Sequence, residues 1–474
     1  MISRLALAKW LLAVKNKGQR VSRVNLHQTG NMDTHRHNIE AKENGVDSNH
    51  DRLPHTRLAR FLNPVPGKTL RTVCVILLIL WCFWWATGLQ RLELKGISHL
   101  WFPSNWGKGI GCDFINHVDH AARVWWNGGD PYADKIVFFP YPPSSMRFFA
   151  WVNLMSPRAA LMVWCFAMAI IIAAAAYAAS RWRQRLALVE IPPVAALVLI
   201  LFSTPTLFAM ERGQSDPLSL LFILTALPLL QHPARWSQYL AGAVLCLTPW
   251  VKAYPGLIFV GLIGLRKWRA LAGFSIAGLA IAAYFLLTGE MQKFLDNNAE
   301  HILRSEYLVL LSSGALHPWE HPLSTGLASL WLGSTFHWLG LLPGKIIAVA
   351  LLISALVWVS YHVYTCPRRE TVVYPYLLWI VALATFVPPV SNDYNLVFLP
   401  LAVLAAWDRR DPLLVQVALA LLLIWWQPIG MSISGNAFLV IKLLGLGAVA
   451  VCLVERTCEQ AEFSAAESIY EIKK

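Results

Sequence analysis

The sequence shows no CxxC cysteine pair and no evident internal repeat, and a cleavable leader is not expected; each of these readings argues against a class of protein. The eight cysteines, Cys74, Cys82, Cys112, Cys165, Cys246, Cys366, Cys452 and Cys458, form no CxxC pair and sit mostly in apolar runs. Neither a disulfide framework nor a zinc knuckle is indicated. Residues 5–14 are largely apolar but carry Lys9, and Lys15, Lys17 and Arg20 follow where a small-residue cleavage site would stand. That pattern argues against a signal peptide. No repeated period is evident, which argues against the inverted-repeat architecture of many secondary transporters. Polar surface is scarce as well: 56% of the 474 residues are hydrophobic and the mean hydropathy is positive, which excludes an ordinary soluble enzyme.

What is present is a series of apolar segments of membrane-crossing length. About twenty apolar residues cover the hydrocarbon, fewer where a span is tilted or broken by proline. The segments 71–89, 158–180, 190–208, 216–231, 237–251, 254–266, 269–288, 340–364, 372–388, 394–407, 412–429 and 434–454 meet that test. The sequence therefore predicts an all-alpha polytopic membrane protein of about 12 transmembrane helices, within a range of 10–13. Three regions follow: a basic, largely disordered tail at 1–70, a transmembrane domain at 71–455, and a short C-terminal tail at 456–474.

The net charge of +13 marks topology rather than affinity for nucleic acid. Basic turns recur at Lys68/Arg71, Arg181/Arg183/Arg185, Arg235, Arg266/Lys267/Arg269, Arg368/Arg369 and Arg409/Arg410. Placing them all inside gives a consistent alternation with both termini cytoplasmic. The outer face then receives polar stretches at 113–134, 211–216, 252–254, 290–322 and 391–394. The long outer stretch from 289 to about 339 suits the covering of a site. Residues 141–156 are apolar but short, open with Pro142 and Pro143 and contain Arg147. They are expected to form a surface or half-inserted hairpin rather than a crossing.

The outer stretches hold the candidate chemistry. Asp113, Asp119, Asp130 and Asp134 crowd the first loop beside Arg123. A lone loop acid is ordinarily just solvated, but this density draws attention to Asp113. If residues 114–126 are α-helical, Asp113, His117 and His120 share one face that could ligate a metal, a weak spacing signal. Gly128 and Gly129 should end that helix, with Asp130 bonding local backbone amides in the following turn. Asp216 reads as an N-cap with Pro217 at the first helical position. Gln214 has less structural reason to be there and could bond a sugar hydroxyl or a lipid phosphate. Lys252, between Trp250 and Tyr254, is either a snorkelling lysine or a fixed cation for an anionic head group. His301 and Arg304 belong to the outer stretch, and Asn392, Asp393 and Tyr394 stand where one span breaks and the next begins.

Taken in order, these pieces resemble the bacterial family 87 glycosyltransferases, polyprenyl-phosphate-mannose-dependent mannosyltransferases of GT-C architecture. The matching residues are Gly111, Asp113 and Phe114, then Gly128 through Tyr132, then Tyr141, Pro142 and Pro143. Gly213 and Gln214, Lys252 and Pro255, and Ser391 through Tyr394 follow. The resemblance covers about residues 70–455. It implies that Asp113, in the extracytoplasmic first loop, is the catalytic base. It also implies a polyprenyl-phosphate-linked sugar donor, a lipid or glycan acceptor, inversion at the anomeric carbon, and residence in the bacterial inner membrane with the active site outside. Substrate contacts are then expected from Gln214, Lys252, Tyr254, Arg304, His301, Asp119, Arg123, Asp130, Tyr132, Asn392, Asp393 and Tyr394. No cofactor is required, a divalent metal being the minority reading, and no nucleic-acid partner is expected. The competing reading is a transporter or flippase of a lipid-linked intermediate.

Overall fold

The computed structural model describes residues 67–90, 111–133, 139–311, 342–388, 393–408, 410–424 and 435–472. They fall within one unit, Val65–Lys474, and contain helices but no strand. Almost all of the N-terminal tail lies outside the described residues, as does Asn392, and so do the side chains of His301, Arg304, Asp393 and Tyr394.

Proline marks many of the helix starts. After α1 (Gly67–Gln90), a π-helical turn at Phe114–Asp119 leads into α2 (His120–Trp126). Then α3 (Pro143–Phe148), α4 (Pro157–Arg185), α5 (Pro193–Leu201), α6 (Thr204–Arg212) and α7 (Asp216–Gln231) each carry proline in their first two positions. There the missing N–H has no helical partner to lose. Ser156 caps α4, its hydroxyl accepting from the Ala159 amide at 3.4 Å. The chain continues through α8 (Arg235–Val251), α9 (Ile258–Gly264), α10 (Trp268–Leu287), α11 (Glu290–Leu311) and α12 (Leu342–Thr365). It ends with α13 (Val373–Ala384), α14 (Phe398–Ala406), α15 (Leu413–Ile424) and α16 (Gly435–Ile472).

Helices α13 and α14 form the centre. Every residue of each is buried, as expected of helices apolar on all sides. They pack on one another and against α4 and α16. Their polar atoms find partners there: Trp379 Nε1 donates to the Leu446 carbonyl at 3.1 Å, and Tyr374 donates to that of Ala175 at 2.8 Å. Around this pair, α8 makes extensive contact with both α7 and α10. A Cβ on Gly242 would stand 1.8 Å from the Ala270 carbonyl oxygen, so glycine alone lets the α8 and α10 backbones approach this closely.

Fewer full-length apolar helices than the about 12 crossings expected are found among the described residues. Among the described residues, three helices are long and apolar enough to cross: α4, α10 and the Ile346–Thr365 part of α12. The α5–α6 pair makes a fourth if counted as one span, bent by 64° at its break. Each predicted apolar segment does contain helix, but hydropathy reads the short buried helices α13 and α14 just as it reads lipid-facing ones. The segment 141–156 is two short helical pieces, α3 and a 3-10 turn at Ala150–Leu154. Six residues of α3 rise about 9 Å, far short of a bilayer. The boundary expected at 455 falls inside α16, where Arg456 and Thr457 are buried.

The basic turns collect at one end of the bundle. Buried Arg183, at the foot of α4, donates to the Leu404 and Trp407 carbonyls at the end of α14, at 2.8 and 2.6 Å. Arg185 reaches Gln231 at the end of α7. Lys267 bonds the Leu230 carbonyl at 2.9 Å and pairs with Glu370 at 2.7 Å. Helices α4 and α7 run from this end to the other, where the candidate site lies.

Candidate active site

The site is built where α6 stops, α7 starts and α8 stops. Helix α6 ends on Gly213 in a left-handed conformation, φ +69°. A Cβ on Gly213 would stand 2.7 Å from that of Phe114, so this glycine brings the turn against the first loop. The Gly111 amide donates to the Glu211 carbonyl at 2.6 Å, and Trp164 Nε1 of α4 donates to the Gly213 carbonyl at 3.0 Å. These contacts hold Asp113 beside Arg212 and Gln214.

Asp113 is buried. Its Oδ2 accepts from Arg212 Nε at 3.0 Å and from the Gln214 amide. Its Oδ1 accepts from the Cys112 thiol at 3.5 Å, a weak donor. One carboxylate oxygen is thus pinned and the other is lightly engaged. Burial, with the Asp113 charge second, pushes the Cys112 thiol up to about 12, so it stays protonated.

A second buried acid adjoins the first. Asp216 is fully buried and accepts from Lys252, from Tyr254 and, at 3.0 Å, from Asn395 Nδ2. Lys252 also donates to Gln214 Oε1 at 3.0 Å, so Gln214 bridges the two acids, its amide nitrogen on Asp113 and its carbonyl on the lysine. The Tyr141 hydroxyl lies 3.4 Å from the same Gln214 oxygen, and the Lys252 ammonium stands 5.6 Å from the Tyr141 ring centroid. Glu211 Oε2, Ser215 Oγ and Ser219 Oγ are buried without a hydrogen-bond partner among the described residues. Unsatisfied polar atoms of this kind are costly in a fold that otherwise pairs its interior groups.

Of the residues expected from sequence, Asp113, Gln214, Lys252 and Tyr254 meet in this network. Lys252, expected as a snorkelling lysine or a fixed cation, is buried and ion-paired with Asp216. Asp216 itself is not the N-cap. Ser215 occupies the cap position and Asp216 is the first helical residue, which turns its carboxylate toward the end of α8. Arg212, Asp216, Asn395 and Tyr141 were missed. The available signal was Arg212, Gln214 and Asp216 recurring at alternate positions around a glycine.

Other expected residues sit elsewhere. Asp119 and Arg123 pair with each other at 2.8 and 2.9 Å, and Arg123 also donates to the Val152 and Met155 carbonyls. They clamp the 150–155 turn. Asp130 accepts from the Tyr132 amide at 3.0 Å, the local bond anticipated, and pairs with Lys293 at 2.6 Å. Tyr132 donates to the Tyr141 carbonyl at 2.8 Å, and burial, with Glu290 second, holds its phenol above the usual range. The π-helical winding of Phe114–Asp119 removes the α-helical register in which Asp113, His117 and His120 were to share a face. Among the described residues no group of three or more His, Cys, Asp or Glu side chains is placed to hold a metal ion.

An apolar cavity of about 350 Å³ adjoins the Lys252 turn, lined by Pro142, Pro249, Trp250, Phe274, Met291 and Phe294 among others. A smaller polar one of about 130 Å³ lies on the other side of the α11 start.

No curated protein and no solved structure matches the chain. Residues 138–316 match the family model of glycosyltransferase family 87. That segment is narrower than the 70–455 expected, and it holds Tyr141, Arg212, Gln214, Asp216, Lys252 and Tyr254 while leaving Asp113 and Asn395 outside. Over it the chain resembles the family 87 enzymes, which indicates a glycosyltransferase.

Proposed function

We propose that the protein transfers a sugar, mannose, from a polyprenyl phosphate to a hydroxyl of a lipid or glycan at the extracytoplasmic face of a bacterial inner membrane. Asp113 is the general base. The observation that carries this reading is its carboxylate: Arg212 and Gln214 hold Oδ2, which leaves Oδ1 to accept a proton. The acceptor O–H bond breaks and its proton passes to Oδ1. The acceptor oxygen forms its bond to the anomeric carbon on the face opposite the phosphate. The bond from that carbon to the phosphate oxygen breaks, its electron pair leaving with the lipid phosphate, and configuration inverts.

A general base must lie within hydrogen-bonding reach of the hydroxyl, directly or through one water. One acid suffices because the leaving group is an anionic phosphate and needs no protonation, unlike the sugar oxygens released by glycosidases. Positive charge aimed at the departing oxygen does assist. Arg212 and Lys252 supply it, with Gln214 coupling them. The lipid chain of the donor lies in the 350 Å³ apolar cavity, next to the Lys252 turn. A GT-C-like arrangement of about twelve membrane segments accommodates the short central helices as broken or buried spans. The basic end faces the cytoplasm by the positive-inside rule, which puts Asp113 outside.

The test is incubation of the purified protein with radiolabelled polyprenyl-phosphate mannose and a panel of glycolipid acceptors, followed by separation of the lipids. Label in a new glycolipid, with inverted configuration at its new linkage, is expected. Movement of intact donor across vesicles without product would replace this reading with a transporter.

A further inference from the structure

At the basic end, the turn from α9 to α10 sends its lysine inward and its arginines outward. Helix α9 closes with the Lys267 amide donating to the Leu262 carbonyl and the Arg266 amide to that of Ile263, both at 2.9 Å. This pair of bonds marks a helix stop whose left-handed position is ordinarily glycine. Arg266 occupies it here, at φ +52°. A bulky side chain is strained in that conformation, so the turn itself gains nothing from an arginine. Lys267 is committed to the interior, to the Leu230 carbonyl and to Glu370. Arg266 and Arg269 are exposed, and among the described residues neither forms an ion pair.

Aromatic and apolar side chains frame these cations. The Arg266 guanidinium stands 4.0 Å from the Tyr364 ring centroid at the end of α12. Stacking of this kind occupies the face of a guanidinium and leaves its N–H edge for an anion. Arg369 donates to the Tyr364 carbonyl at 3.4 Å, which adds a third cation there. Trp268, beside the outward arginines, is 53% exposed. Exposed apolar residues then lead away along both helices. Ile276 and Leu279 share the α10 face of Trp268, and Val357 and Ile353 recede from Tyr361 on α12. Of the three full-length spans these two are the least buried, with 17% and 28% of their most apolar stretch covered against 50% in α4. Helix α9 packs against both, so the arginines stand at one end of two apolar strips.

The ligand that fits has an anionic phosphate head and an apolar body. A guanidinium fork matches phosphate oxygens. Exposed Trp and Tyr suit the depth of lipid head groups, and the strips suit acyl chains. A soluble phosphate would use the arginines alone. The positive-inside rule accounts for basic charge at this end but not for an arginine at a left-handed position stacked on a ring. We propose that the α9–α10 turn binds an anionic phospholipid of the leaflet that the basic end faces. Its phosphate lies on Arg266 and Arg269 and its chains lie along α10 and α12. The assignment needs the membrane character of the chain and is independent of the sugar-transfer reading.

The test is native mass spectrometry of the full-length protein in detergent, titrated with dioleoyl phosphatidylglycerol or dioleoyl phosphatidylcholine. The unaltered protein retains phosphatidylglycerol about tenfold more strongly. Arg266→Gln combined with Arg269→Gln removes about tenfold of that affinity. Arg181→Gln combined with Arg185→Gln, at two exposed positions at the foot of α4, changes it by less than about twofold. Arg266→Gly gives the turn its ordinary residue, so it keeps or raises the unfolding midpoint while weakening retention by about threefold. Equal retention of the two lipids overturns the proposal. Equal loss from the two arginine pairs overturns it as well, by reducing the site to diffuse attraction. A lowered midpoint in Arg266→Gly with retention unchanged would make that arginine a structural residue and remove it from the site. Millimolar inorganic phosphate leaves the lipid bound; displacement would assign the arginines to a soluble phosphate and overturn the lipid assignment.

Discussion

The bundle has two buried charged clusters, one at each end, and they are built differently. At the basic end Arg183 is satisfied mostly by backbone carbonyls, and Arg456 pairs with Asp411 while also reaching Glu459 at 3.0 Å. Leu404 and Trp407 sit at the end of α14, where carbonyls lack intrahelical donors and favour a cation. At the other end the groups bond mainly side chain to side chain, across the first loop, the α6–α7 turn, the end of α8 and Asn395. Three polar atoms there, Glu211 Oε2, Ser215 Oγ and Ser219 Oγ, find no hydrogen-bond partner among the described residues, whereas at the basic end the orphan is the indole Nε1 of Trp407. One cluster closes helix termini; the other holds acids and bases in place with acceptor capacity left over. The comparison is why we propose stability as the role of the first and chemistry as the role of the second.

Removing a cation from each end separates these roles. Arg456→Met leaves Asp411 buried without its principal partner and is expected to cost about 3–5 kcal/mol of stability. A lowered unfolding midpoint would register it, with turnover per folded molecule unchanged. Lys252→Met also strips the cation from a buried acid, and although Asp216 still accepts from Tyr254 and Asn395, a similar cost of about 3–5 kcal/mol is expected. Its main effect falls on steady-state kinetics, where donor KM rises and kcat drops. Unchanged kinetics in Lys252→Met, with a stability loss matching that of Arg456→Met, would erase the distinction between the ends.

Gly213→Ala probes the junction that carries the site. A residue with φ +69° and a Cβ 2.7 Å from that of Phe114 is expected to destabilise by about 1–3 kcal/mol and to lower activity more than thermal stability. The smallest effect concerns Cys112. Because burial and the Asp113 charge raise its thiol to about 12, it should resist iodoacetamide at pH 8 in the folded protein and react on unfolding. Rapid alkylation at that pH would place it in an open environment.

Part of this was legible in the sequence. The polar stretches were expected to converge because basic turns alternate with them, and contacts now join Asp113, Gln214, Lys252 and Asn395. That 141–156 does not form a crossing helix was readable from Pro142, Pro143 and its length. The role of Asp216 was not, since Asp before Pro reads locally as a helix cap, and only the folded position of α8 brings Lys252 to it. Asp119 and Arg123 carried the charge of site residues, yet their i,i+4 spacing equally suited the clamp they form on residues 150–155. The number of crossings was not legible for a physical reason too: an apolar segment surrounded by protein and one surrounded by lipid have the same hydropathy.

The most direct measurement of the central claim takes one preparation of Asp113→Asn and determines both donor binding and sugar transfer. The account predicts that polyprenyl-phosphate mannose binds within about threefold of the unaltered protein while transfer falls about 10³-fold, the scale of a lost general base. Transfer at the original rate would contradict the assignment of Asp113 as the group that takes the proton.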